Sequence, residues 1–546
     1  MLEKLLNSKG FSLDCETTSA TKKKKDNLHF KNNEIVCISF ANDEVSFCLA
    51  TEEIKNQWQV FKELMTNPKY RKVGHNLKFD CKCITGAFNI EVKGLWFDTH
   101  IAACLLDENE KHGLKPLCEK YLKTTWGEWS DEMDLDTLKE YCRLDSVNTY
   151  RLAKFQKPKL ANQKLTDLMK TEMEVVDVFY KAEIKGVKIE KAYLNQLHDR
   201  YARHSQKVNR WVQRHTQEEF NINSAQQLCK VLYEQKKLPI LKKTPAGKPS
   251  TDTRTLKELA KDGHRFADSI LLYRHWEMLR RHIEKLLKEE IDGRIYPTFN
   301  TIGTETGRFS CKEPNLQQIP SKTGESLAIR RAFTGNLLVA DYSNVELRLL
   351  AHFTRDPKLL QVYKDGGTGD LHEATAHSLG ITRAEAKTIN FGICYGMGPQ
   401  KLAESLNIDH NVAKEYIYRW YKTYNLVEPW KRMICNTAKK YGWVKSLGGR
   451  KRRIDFGKLK FNETWKAERE IVNFVIQGSS ADVTKLAIAQ LKDESILMQV
   501  HDELVIDMDN SKRSVDEIKI IMEGVVDIRV PLIVDCKLCT NWSEGK

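Results

Sequence analysis

Hydrophobic and polar residues alternate at the start of the chain and recur every three to four residues further on. Three runs rich in β-branched and aromatic residues, GFSLDCETT, EIVCISFAND and EVSFCLA, predict strands. Helical spacing follows. EMEVVDVFYKAEIK predicts a helix that stops at Gly186, and Asn223 or Ser224 suits the N-cap of another that Pro239 closes. At LLVADY the pattern reverts to a buried strand that delivers Asp341 at its end, and VELRLLAH continues as a helix. ITRAEAKTINFGICYG predicts a helix opened by a capping box, Thr382 with Glu385. VNFVIQGSSADVTK is amphipathic, and ILMQVHDELVID predicts a hairpin with His501, Asp502 and Glu503 at its tip. VPLIVDCKLCTNW reads as a last strand. The fold class is α/β and multidomain.

A length of 546 residues predicts three or four folding units, at about 150 residues each. No apolar run reaches the roughly 18–20 residues of a membrane span, and no signal-peptide core opens the chain. A soluble intracellular protein is expected, in cytoplasm, nucleoid or a virus-infected cell, or in an organelle for a processed fragment. The formal charge of +14 suits a polyanionic partner. Between residues 230 and 290, 15 Lys or Arg against 9 Asp or Glu suit phosphate-backbone contact. The four lysines 22–25 read as a solvated hairpin loop or a nucleic-acid contact. The 14 cysteines are scattered, mostly in apolar stretches, and read as reduced and buried. Cys536 and Cys539 form the single CxxC, without the second pair that a zinc site needs.

The acids carry the chemistry. Asp14 and Glu16 share one face of a strand, and like charges so placed are costly unless a cation sits between them. Asn76 and Asp80 stand four apart, on one face of a helix, as do Tyr141 and Asp145 on another. Four carboxylates and a tyrosine on separate elements suit a two-metal nuclease. Asp341 and Asp502, from two strands of one sheet, suit a pair of hard cations and phosphoryl transfer. Arg383, Lys387, Phe391 and Tyr395 recur every four residues along one broad side of a helix, cations toward one end and aromatics toward the other.

DYSNVELRLLAH resembles motif A, and VHDEL motif C, of the family A DNA polymerases. RxxxKxxxFGxxYG resembles that family's O helix, and TGRFS with PNLQQIP its TGRxSS…PNLQNIP stretch. The set DxE, NxxxD, YxxxD resembles the DEDDy 3′–5′ exonucleases. The resemblance spans nearly the whole chain. It implies an RNase H-like 3′–5′ exonuclease domain in 1–158 and a right-hand polymerase domain in 159–546: thumb about 160–295, palm about 296–355 and 428–546, fingers about 356–427. The implied activity is DNA-templated DNA synthesis with proofreading, in replication or repair. The implied cofactor is Mg²⁺, two per active site, with Mn²⁺ as a substitute.

By the same resemblance, Asp14, Glu16, Asp80 and Asp145 are metal ligands, Tyr141 orients the attacking water, and Asn76 contacts DNA. Asp341 and Asp502 hold the second metal pair, with Glu503 in support. Arg383, Lys387 and His372 face the triphosphate, Phe391 and Tyr395 the sugar and base, and Glu346 excludes a 2′-hydroxyl. Asn344 stands where the family usually has glutamine. Arg308, Asn315, Gln317, Arg469, Asn473, Gln477 and His501 are implied DNA contacts, with Arg330, Arg331 and 450–453 as further basic candidates. The expected partners are primer–template DNA and dNTPs, with no membrane and a monomeric chain. Three rivals are an exonuclease with a binding-only C-terminal part, a single-subunit RNA polymerase and a non-catalytic scaffold. The first requires a broken motif A or C, the second is opposed by Glu346 and the implied exonuclease domain, and the third would tolerate lost acids, of which none is lost.

Overall fold

The alternating runs at the N-terminus build a mixed five-stranded sheet. Its strands are β1 (Gly10–Ser19), β2 (Asn33–Ala41), β3 (Ser46–Ala50), β4 (Arg71–Gly74) and β5 (Leu95–Asp98), in the order β3-β2-β1-β4-β5. β1 runs antiparallel to β2 and parallel to β4. The computed structural model describes residues 1–19, 30–130, 132–321, 324–364 and 369–545, so the lysines 22–25 lie outside the described residues. Helices α1 (Leu77–Phe88), α2 (Leu135–Asn162) and α3 (Thr166–Lys185) pack with this sheet. Phe11, Leu13, Ile38, Phe40, Val73, Leu77 and Ile84 fill its core, each worth about 1.5–3 kcal/mol when fully buried.

A second sheet comprises β6 (Thr334–Tyr342), β7 (Ile496–Val500), β8 (Glu503–Asp507) and β9 (Val534–Asn541), in the order β7-β8-β6-β9. β7 and β8 form the expected hairpin, with Val500 opposite Glu503. In β6, Leu338, Val339 and Ala340 are all buried, which is why that run is continuous rather than alternating. After β6 the chain continues as α4 (Val345–Thr354), which packs on α6 (Arg383–Cys394) and on the 30-residue α7 (Phe461–Gln490), while α5 (Leu371–Leu379) packs on α6.

Internal contacts divide the chain into two units. The first contains 1–185, 299–311 and 338–537, and so holds both β-sheet regions that carry the candidate acids. Its interior contains two buried ion clusters. Glu172 of α3 is fully buried and accepts from Lys485 Nζ of α7 at 2.6 Å and from the Arg450 guanidinium. Arg450 Nε lies 3.5 Å from Asp482 Oδ1. At the other end of α3, Glu183 accepts from Lys82 Nζ at 2.7 Å, from Lys78 and from the Phe299 amide. Arg450 therefore differs from the sequence expectation of a phosphate contact: only 4% exposed, it is committed to internal carboxylates. Arg452 and Arg453 both pair with Glu108.

The second unit contains 186–298, 312–337 and 538–546. Helices Lys191–Arg214 and Arg265–Lys288 pack together, with Val212, Leu228, Leu256 and Ile270 in its core. Ser224 is the N-cap of the helix Ala225–Cys229, which continues as a wider π turn over Lys230–Gln235 and stops ahead of Pro239. Arg330 is 2% exposed, donates to the carbonyls of Ile319 and Pro320, and lies 3.8 Å from the Trp542 ring centre. Its role here is packing rather than an exposed basic contact.

Candidate active sites

The first site forms on β1. Strand alternation puts Leu13 and Cys15 on the face covered by α1, where the Cys15 thiol lies 3.2 Å from Asp80, and Asp14 and Glu16 on the opposite face, where Asp14 meets Cys142 of α2. One oxygen from each of Asp14 and Glu16, with the Cys142 sulfur, lies within 4.8 Å of the others. Asp80, 3% exposed in the first turn of α1, accepts from the Cys15 amide at 3.2 Å. Asp145 on α2 accepts from Trp126 Nε1 at 2.5 Å. Tyr141 lies one turn before Asp145, with Lys115 Nζ 4.8 Å from its ring centre. Burial, then the charges of Asp80, Asp145 and Glu16, push the Asp14 carboxyl well above its usual range. Burial first and Asp145 next carry Glu16 to about 8. Burial likewise carries Asp80 to about 7 and Asp145 to about 6. Carboxylates crowded this way are a donor set for hard divalent cations, whose charge offsets the repulsion.

Asn76 departs from its expected place. It is the N-cap of α1 in the left-handed region, φ 64°, rather than a residue on the helix face beside Asp80. Its amide and that of Leu77 donate to the two oxygens of Asp98, at 3.0 and 2.8 Å. Asp98 also accepts from the His100 amide and is 2% exposed. It thus fixes the start of the helix that carries Asp80. Asp98, Trp126 and Lys115 escaped the sequence reading; the only local signal was Asp-Thr-His, an N-cap pattern at the end of an apolar run.

The second site is a cleft of about 430 Å³ lined by Arg308, residues 341–346, Phe391, Tyr395, His501, Asp502 and Asp535. β6 brings Asp341 there. The β7–β8 turn brings Asp502, and His501 makes the turn with φ 60°. The Tyr342 amide donates to the Asp502 carbonyl at 3.2 Å, tying the two strand ends together. Asp502 Oδ1 accepts from Ser480 Oγ of α7 at 3.0 Å. Burial and the nearby Asp341 raise the Asp502 carboxyl, while Arg308 and Ser480 oppose the shift. Asn344 caps α4 in the left-handed region, φ 52°, a conformation asparagine tolerates better than most residues.

Glu346, 3% exposed, accepts from the Arg308 guanidinium and the Tyr395 hydroxyl. Phe391 and Tyr395 stack with ring centres 6.2 Å apart. The capping box of Thr382 and Glu385 starts α6, and Tyr395 is its C-cap. Arg383 and Lys387 are exposed on the first turns of α6, Arg383 Nε lying 2.6 Å from Asp370 Oδ2. His372 is 2% exposed; its Nδ1 lies 3.0 Å from Asn390 Nδ2 and its ring centre 5.5 Å from that of Phe391. Burial lowers its pKa, so it is neutral at pH 7. Glu503, first residue of β8, is buried.

On α7, the Asn473 amide donates to the Tyr395 carbonyl at 3.3 Å. Gly396 has φ 72°, and a Cβ there would lie 2.6 Å from Arg469 Cγ. Arg469 and Asn473 thus adjoin Tyr395 from outside the cleft, with Gln477 one turn further along α7. Asn315 and Gln317 belong to the second unit, where Asn315 caps a short 3₁₀ turn by accepting from the Gln317 amide. Ser480 and Asp535 were not singled out from sequence, because neither stands in a local pattern of acids.

A family model described as DNA polymerase family A matches residues 191–544, and one described as 3′-5′ exonuclease matches residues 1–161. DNA polymerase I of Synechocystis is 33% identical over 541 residues, covering 89% of this chain and 54% of that protein. DNA polymerase I of Pseudomonas aeruginosa is 30% identical, covering 100% of this chain and 64% of that protein. For DNA polymerase I of Geobacillus stearothermophilus the figures are 32%, 95% and 63%. The chain therefore spans about half to two-thirds of the length of these relatives. A solved POL domain of Pol1 from M. smegmatis, in complex with DNA primer-template and dNTP, superposes with a TM-score of 0.87 at 26% identity, covering 99% of this chain and 98% of that one. With an RNase H-like exonuclease region followed by a right-hand polymerase region, the chain belongs to DNA polymerase family A.

Proposed function

We propose that the chain extends a DNA primer on a DNA template and removes mispaired 3′ ends at a separate site. The observation that carries the reading is one cleft holding Asp341, Asp502 and the tethered Glu346, apart from a second group of acids on β1, α1 and α2. The proposed division is an exonuclease domain in 1–158 and a polymerase domain in 159–546, with thumb, palm and fingers as expected from sequence. Primer–template DNA and dNTPs are the proposed partners of a soluble monomer.

Members of these families depend on metal ions. Asp341 and Asp502 would hold Mg²⁺ or Mn²⁺ at one site, and Asp14, Glu16, Asp80 and Asp145 at the other. When bound, such ions supply Lewis-acid charge that acidifies the attacking hydroxyl or water and steadies the departing oxygen. The remaining work belongs to side chains. Glu346, fixed by Arg308 and Tyr395, occupies the space a 2′-hydroxyl needs and so favours deoxynucleotides. Phe391 and Tyr395 offer a stacked apolar wall for sugar and base. Arg383 and Lys387, exposed at the start of α6, neutralise phosphate charge. Tyr141 stays protonated, because burial and Asp145 raise its pKa, and so can hold a water by hydrogen bonding.

The test is a labelled primer–template with Mg²⁺, with and without dNTPs. Wild type should extend with dNTPs and shorten without them. Asp341→Ala should only shorten, and Asp14→Ala should only extend. Shortening by all three proteins with extension by none would sink the polymerase reading.

A further inference from the structure

Beside the acids of β1 the protein gathers three thiols. Cys37 of β2, Cys48 of β3 and Cys142 of α2 have sulfurs all within 4.8 Å of one another. Strand register explains the convergence. Cys37 pairs with Ala50 and Ser39 with Cys48, so alternation puts Cys37, Ser39 and Cys48 on one sheet face. Cys142 on α2 closes over that face: Ser39 Oγ donates to its carbonyl at 2.7 Å, and its thiol lies 3.3 Å from Ser39 Oγ. Cys37 and Cys142 are fully buried, while Cys48 is half-buried and gives access from solvent. Cys37 and Cys48 are diagonal across antiparallel strands, where Cα atoms stand about 7–8 Å apart. That exceeds the span of an unstrained disulfide.

We propose that Cys37, Cys48 and Cys142 form a binding site for one soft, thiophilic cation of the zinc, cadmium or copper(I) class. Three thiolates from three well-packed elements suit such an ion, whereas Mg²⁺ prefers oxygen donors, so adjacent sites sort cations by softness. Bonds of about 2.3 Å to each sulfur require sulfurs roughly 3.8 Å apart, a closure of at most about 1 Å from separations that are all within 4.8 Å. Binding releases the thiol protons to the buffer. The Cys142 thiol also lies 3.5 Å from Asp14 Oδ2. Occupancy removes that donor from Asp14 and leaves three thiolates around one cation, a net negative charge beside it, so the soft ion acts on the nucleolytic site. This last consequence rests on the proposed exonuclease activity; the binding does not.

The experiment titrates Cd²⁺ into the reduced full chain under argon, following thiolate-to-metal absorbance in the ultraviolet. Wild type and Cys229→Ser, which alters a thiol in the other unit, should saturate at one equivalent. Cys48→Ser should bind at least about 100-fold more weakly, and Cys48→Ala, checked by thermal melting, should behave alike. Absence of the band in wild type, or an equal band in both Cys48 variants, overturns the site. Shortening of labelled single-stranded DNA in Mg²⁺ should fall with one equivalent of Cd²⁺ in wild type and not in Cys48→Ser. Equal inhibition of both overturns the coupling. A normal band with no shortening by any protein would retire the exonuclease reading and leave the thiol site standing.

Discussion

Replacing Glu172 with alanine tests the buried cluster that joins α3 to α7. Glu172 is fully buried, and its partners Lys485 and Arg450 are 0% and 4% exposed. Removing one member of a buried ion pair costs about 3–5 kcal/mol, because the remaining charge stays desolvated. Two features favour the low end. Arg450 keeps Asp482 as a partner, and burial already holds Lys485 down at about 8, so without Glu172 it sheds its proton. We expect a loss near 3 kcal/mol at pH 6.5. In urea, with a slope of about 3 kcal/mol/M, the midpoint should fall by roughly 1 M. The pH dependence has a definite sign. Neutral in the folded variant and charged in the unfolded one, Lys485 makes the unfolded variant bind more protons; in wild type Lys485 loses its proton only near pH 8, so the two proteins differ in slope below that pH. Stability of the variant therefore rises with pH relative to wild type, and the deficit should shrink by pH 9.5. Glu172→Ala with Lys485→Met should recover part of the loss. A midpoint within about 0.2 M of wild type, or a deficit that grows with pH, would refute the reasoning.

Gly307→Ala should lower extension activity, since φ there is 78° and a Cβ would lie 2.3 Å from Arg450 Nε; the strain, about 1–3 kcal/mol, displaces the neighbouring Arg308 from Glu346. The predicted readout is a raised KM for dNTP in steady-state primer extension, with Gly307→Ser no better. Metal affinity at the β1 site should rise with pH. Glu16, Asp80 and Asp145 titrate near 8, 7 and 6, so below those values metal must displace protons. Mn²⁺ binding followed by electron paramagnetic resonance should tighten from pH 6 to 8 and level off above. Without metal, these raised carboxyls keep protons in the folded state that the unfolded chain has released, so the metal-free chain should lose stability between about pH 4 and 8. A flat Mn²⁺ affinity over that range would contradict the crowding of these acids.

Local rules made part of this molecule readable in advance. Asp341 and Asp502 were legible because a buried strand and a two-strand hairpin each announce themselves by apolar pattern, and the acids fall where the pattern breaks. The α6 capping box was legible for the same reason: Thr382 and Glu385 need only each other. Arg450 was not, because a guanidinium two and three residues from two others looks like a surface charge until Glu172, far away in sequence, comes into contact. Asn76 looked helical by spacing alone, but Asp98 accepts its amide and the helix starts only one residue later. His372 carried no sign that Asn390 and Phe391 would enclose it. In each case the missing information was a partner distant along the chain.

The helix Thr166–Lys185 has one consequence for how such a chain can be divided. Its two buried glutamates face opposite ways: Glu172 toward Lys485 and Arg450, Glu183 toward Lys78 and Lys82. Cutting before this helix leaves Glu183 without its lysines. Cutting after it leaves Lys485 and Arg450 without their glutamate. No single severance point spares both clusters, so a nuclease-free fragment or a chimera with a foreign N-terminal body must carry compensating changes at 183, or at 450 and 485. For the same reason substitutions on the two sides of the helix should be inherited together rather than exchanged as independent modules.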